Sequence, residues 1–188
     1  MEIAMQNELE ERHSRQAFSN DYQLVNGIAM HLENPEHFHI PPSVIKRNVR
    51  PGQFVELRID SPRFSVHESA TDKCNCPSCH GQMSKPILRH EHPATLFPMA
   101  ASNVSSKGWG EDFWVKVIKR SDNFLLGHVD NPLVEQRLHG VCLGDEIVFQ
   151  EDNILAVHPI HRHELLMNMN QVDLQELIDC VQGKREPS

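Results

Sequence analysis

Three thiols and an imidazole fall within the run Cys74-Asn75-Cys76-Pro77-Ser78-Cys79-His80, and two further imidazoles follow at His90 and His92. A Cys-Pro-x-Cys turn folds the backbone so that both sulfurs face one point. Tetrahedral Zn²⁺ takes four such donors, at about 2.3 Å for sulfur and about 2.0–2.1 Å for nitrogen. Cys76 and Cys79 have the spacing of one half of a structural zinc site. Cys74 is the expected third ligand, and one of His80, His90 or His92 the fourth. The second Cys or His pair of a complete finger is missing. The alternative is a loop of reduced thiols without metal. Three metal-free surface thiols this close would invite oxidation, so the reading taken is a structural zinc site.

A second array, His158, His161 and His163 followed by Glu164, has the spacing HxxHxH. At the end of a strand it could hold a catalytic metal through three protein ligands, leaving a position for water. That is the chemistry of a metal-dependent hydrolase. The competing reading, a polar strand-to-helix connector in a histidine-rich chain, is preferred. Other catalytic signatures are missing. His90-Glu91-His92 has the wrong spacing for a zinc-protease helix, and Pro93 would interrupt one. Lys107-Gly108-Trp109-Gly110 is too short for a phosphate loop, and no Gly-x-Ser-x-Gly elbow occurs. Cys142, between Val141 and Leu143, reads as a small core residue rather than a nucleophile. Asp130 and Asp145 sit at turn positions. No catalytic residue is assigned. Trp109 and Trp114 are candidate surface anchors for a partner.

The elements that must position these residues are legible in part. Residues 1–20 are polar and read as a tail or frayed helix. Residues 21–157 form an expected core domain, interrupted by a Cys/His-rich insertion over 61–110, and 158–188 supply a C-terminal helix and tail. Leu24, Val25, Ile28, Ala29 and Leu32 fall at helical spacing before Asn34-Pro35. Residues 53–60 alternate as a strand, with Val55, Leu57 and Ile59 on one face. Residues 112–119 and 124–129 flank the turn Ser121-Asp122-Asn123 as a hairpin. Residues 145–150 form a further strand, with which Ile154–Val157 is expected to pair. In the last helix Asp173 reads as a cap with Glu176 three positions on, and Gly183 as the stop. Consecutive strands with short turns give an α+β fold: a curved antiparallel sheet, partly closed like a barrel, with flanking helices and a zinc-stapled insertion.

Charge narrows the partners. The chain of 188 residues carries 26 acidic and 18 basic residues, a net charge of −8. That balance argues against general nucleic-acid binding, which rests on Lys/Arg contacts to phosphates, and against an anionic membrane surface. No stretch reaches the roughly 18–20 apolar residues of a membrane span. Five cysteines, three of them crowded, suit a reducing compartment rather than a disulfide framework. Met1 to Glu8 lack a basic start and an apolar run, so no signal peptide is expected and the location is read as cytoplasmic.

Phe113-Trp114-Val115-Lys116-Val117, then Gly127-His128-Val129-Asp130-Asn131, then Leu143-Gly144-Asp145-Glu146-Ile147-Val148-Phe149 with Asn153-Ile154, resemble the plan of a group of small bacterial β-rich domains of unknown function. Relatives of that group are associated with immunity proteins of polymorphic-toxin systems. His39-Ile40-Pro41-Pro42 and Arg50-Pro51-Gly52-Gln53-Phe54-Val55-Glu56-Leu57 resemble the segment that precedes such domains, with Gln53 in place of an acidic residue and Glu56 in place of a lysine. The resemblance covers about half the chain and omits the Cys/His insertion. It implies a fold and a protein partner, and no catalytic residue. The expected function is a non-catalytic, cytoplasmic protein-binding module, immunity-like and with a basic partner; the alternative is the hydrolase built on His158, His161 and His163.

Overall fold

Val55, Leu57 and Ile59 point into the core from strand β2 (Phe54–Ser61), which is buried and half-buried in strict alternation. The structure is a computed structural model and describes residues 2–19, 22–33, 35–36, 38–61 and 109–183. Within these, helix α1 (Glu2–Arg15) leads to β1 (Gln23–Leu24), α2 (Gly27–Glu33), α3 (Ser43–Arg47) and β2. Then come β3 (Trp109–Ser121), β4 (Phe124–Val129), α4 (Gln136–His139), β5 (Glu146–Gln150), β6 (Ala156–Val157), α5 (Arg162–Asn168) and α6 (Gln171–Val181). Among the described residues no helix is long and apolar enough to cross a membrane.

The sheet is antiparallel throughout, in the order β1-β2-β3-β4-β5. A 3₁₀ turn, Glu151–Asn153, then bends the chain away from β5. Its ends are tied by the Gln150 N–H, which donates to the Asn153 side chain at 2.8 Å. The following β6 pairs with β2 at Val55 and Glu56. This corrects the expected pairing of 154–157 with the preceding strand, because the 3₁₀ turn carries the chain across to the far side of the sheet. The return to β2 makes the sheet nearly closed and barrel-like, in an α+β fold.

The long β2–β3 hairpin stays in register from Phe54 opposite Lys116 to Ser61 opposite Trp109. The segment bearing Cys74, Cys76, Cys79, His80, His90 and His92 joins these paired ends and lies outside the described residues. Inner-face side chains of all the long strands build one core, including Val55, Leu57, Ile59, Phe113, Val115, Val117, Leu125, Ile147 and Phe149. Strand β4 is apolar on both faces because both are covered. Leu125 and Val129 face the core, while Phe124 and Leu126 meet Leu9 of α1 and Val148 in a second, smaller cluster. The N-terminal residues, read as a tail or frayed helix, therefore supply a fully buried leucine. Gly127 is required where it stands: a Cβ there would lie 2.4 Å from Val115 Cγ1.

Two side-chain readings change. Cys142 is exposed, since its N–H donates to Asp145 Oδ2 in a turn that leaves the side chain outside. The cap of α6 is Asn170, which accepts from the Asp173 N–H at 2.8 Å. Asp173 instead joins Glu176 on the Arg47 guanidinium, each at 2.6 Å, and this fastens α6 to α3. Hydrogen bonds from Asn48 and Arg47 hold the Asp173 carboxyl below its ordinary pKa.

Candidate functional site: an aromatic and imidazole cluster on the outer sheet face

The pleat that sends Val55 and Leu57 inward sends Phe54 and Glu56 to the outer face. Cross-strand register then sets their neighbours. Phe54 stands between Lys116 of β3 and His158, and Glu56 stands between Trp114 of β3 and Ala156 of β6. His158 is brought there because its N–H extends the ladder, donating to the Phe54 carbonyl at 2.9 Å. The Trp114 backbone is fixed from the other side: its N–H donates to Asn131 Oδ1 at 2.6 Å, and its carbonyl accepts from the Asp130 N–H at 2.8 Å.

The next residues close over this face. His158 caps the 3₁₀ turn Pro159–His161, its Nδ1 accepting from the Ile160 N–H at 3.3 Å. The turn lays the His161 ring on Phe54, stacked at 23° with 5.5 Å between centroids. The Trp114 and His158 rings meet edge-on at 5.1 Å, and Lys116 Nζ lies 5.8 Å from the Phe54 centroid. These distances suit ring-quadrupole and cation–π contacts. Trp114, Phe54, His158 and His161 are all half-buried. Glu56, on the same face between Trp114 and Ala156, has its carboxyl pKa raised by burial and by the like charge of Asp112. Asp112 is itself paired with Arg58 at 2.8 Å.

The structure thus splits the HxxHxH array. His158 and His161 join the aromatic cluster with 6.4 Å between ring centroids, and His163 is exposed on α5. His161 Nδ1 lies 3.5 Å from Glu164 Oε2. Among the described residues no three His, Cys, Asp or Glu side chains are grouped to hold a metal ion. The six sequence-predicted zinc ligands lie outside those residues. Phe54, Glu56 and Lys116 carried no signal in the sequence beyond alternation, because only register reveals that they share a face with Trp114 and His158. His139 and Glu111 were missed as well; they meet at 3.3 Å from positions far apart in the chain.

Fold and site together define an α+β protein with a nearly closed antiparallel sheet and an aromatic, histidine-bearing outer face. In comparisons with known proteins, no family model, no curated protein and no solved structure matches this chain.

Proposed function

We propose that the protein is a non-catalytic, cytoplasmic protein-binding module, immunity-like in kind. Its contact face is the outer surface of β2 and β3 around Trp114. The observation that carries this reading is the half-buried Trp114 ring, held with Phe54, His158 and His161 outside the core. Tryptophan anchors surrounded by water-excluding neighbours are the side chains that dominate protein–protein contacts. The partner is basic: the chain carries a net charge of −8, and complementary charge speeds association and makes it salt-sensitive.

Capture from native lysate tests the reading. Wild type should recover one protein at low salt and lose it at high salt. Trp114→Ala should reduce recovery by about tenfold or more, as hot-spot truncation does. Equal recovery by the variant would remove Trp114 from the interface. A hydrolytic activity lost on replacing His158 and His161, with no partner recovered by either protein, would favour the enzyme alternative.

The proposal includes a structural zinc held by Cys74, Cys76, Cys79 and one of His80, His90 or His92. Purified protein should contain about one zinc per chain, and Cys76→Ser should release it. Protein that arrives metal-free with all three thiols freely alkylated would refute the site.

A further inference from the structure

Residues 130–145, between β4 and β5, are fastened by a histidine that solvent does not reach. The His139 side chain is 0% exposed. Its Nδ1 accepts from the Val141 N–H at 3.0 Å, so a neutral ring carries its proton on Nε2, which lies 3.3 Å from Glu111 Oε2. The Glu111 carboxylate, on β3, also accepts from the Val134 N–H at 2.5 Å and the Glu135 N–H at 3.0 Å. Three backbone N–H groups of the connection therefore hang from two side chains that are bonded to each other. The Tyr22 ring meets His139 edge-on at 5.4 Å, and Leu138 and Val141 anchor the connection in the main core.

We propose that this unit is an acid-released latch: a proton taken up at His139 Nδ1 removes the acceptor for the Val141 N–H, and residues 130–145 open locally while the sheet stays paired. The inference does not rest on the partner-binding reading, although Asp130 and Asn131, which hold the Trp114 backbone, lie in the same connection. The proton comes from solvent and remains on Nδ1, so the ring becomes a buried imidazolium. The titratable groups facing it are Glu111 on β3, Glu135 in the connection and Tyr22 beside β1. Asp145 and Glu146 line the same groove, across from Gln16 to Ser19. Burial lowers the His139 pKa and outweighs the two glutamates, which raise it. A histidine with a depressed pKa in the folded state contributes stability that is fully present above its ordinary value. That stability is lost as pH falls from there through the folded-state value. The groove gives water a route to the loosened turn.

Amide hydrogen exchange on the full chain tests the latch, at about pH 7.5 and about pH 5 with intrinsic rates corrected. Val141 should lose protection by about tenfold or more, while Val115 and Val117 in β3 should not change. His139→Asn offers a non-titrating oxygen to the Val141 N–H and should abolish the step. Glu111→Gln removes the carboxylate charge and should move the midpoint to lower pH. Unchanged Val141 protection, a step that persists in His139→Asn, or parallel loss across the whole sheet would each overturn the latch. Should His139→Asn fail to fold, NMR titration of the wild-type His139 ring decides: a midpoint below the ordinary histidine value supports the latch, and one at or above it refutes it.

Discussion

The outer face of the sheet has two halves that are covered differently. Over β4 and β5 lies α1, fourteen residues long, which presses Leu9 between Phe124, Leu126 and Val148. The helix is further tied by Arg12 to Glu146 at 2.6 Å and by the Gln16 amide, which both donates to and accepts from the Val148 backbone. Over β2 and β3 the cover is the three-residue turn Pro159–His161, and beneath it are rings that remain half-buried. The first half is a sealed apolar interface. The second combines aromatic area, two imidazoles and a half-buried carboxylate, and it is the half with surface left to offer a partner.

Leu9→Ala should have the largest effect on the sealed half. Removing a fully buried leucine costs about 2–5 kcal/mol, seen as a lower midpoint in denaturant unfolding, with faster exchange of α1 amides. A loss under about 0.5 kcal/mol would show that α1 is not an integral cover. Trp114→Ala should cost less, about 1–2 kcal/mol, because a half-buried ring gives up only part of its transfer free energy. Its effect should fall on binding instead. If Trp114→Ala destabilises the fold more than Leu9→Ala, the two halves do not differ in the way described.

Glu56→Gln should have the smallest effect, and its sign is informative. Burial and Asp112 raise the Glu56 pKa in the folded state. The proton is therefore held more tightly in the folded chain than in the unfolded one. The stability this contributes is present below the ordinary glutamate pKa and is lost as pH rises through the raised value. At neutral pH the charged carboxylate is a cost, so Glu56→Gln should raise the melting temperature slightly there, and the gain should vanish at acid pH. A lower melting temperature at neutral pH would mean that Glu56 has a favourable charged partner.

The contrast also explains what the sequence revealed. Burial with period two marks Val55, Leu57, Ile59, Val115 and Val117 directly, since the inner face needs only apolar residues at alternate positions. Residues 124–129 are apolar on both faces and do not alternate; they read as a strand because the turn Ser121-Asp122-Asn123 returns the chain along 112–119. The outer face has no such rule. Phe54 meets His161, and Trp114 meets His158, only because a 3₁₀ turn sends β6 to β2 rather than back to β5. That turn depends on local bonds of Gln150 and Asn153, and hydrophobic pattern does not register them. Cys142 lies outside although Val141 beside it is in the core, because the chain turns out at Leu143, which is exposed, and Asp145 holds the Cys142 N–H. Leu9 was hidden because α1 has a single fully buried leucine in a charged helix, too little to make a period.

The central claim is that the Trp114 face is where a partner sits. Hydroxyl-radical footprinting of the isolated chain and of the captured complex, read residue by residue, tests it most directly. The account predicts that Trp114 and Phe54 lose reactivity in the complex while exposed Met167 and Val172 on α5 and α6 keep theirs. Unchanged reactivity at Trp114 in a complex that still forms would contradict it.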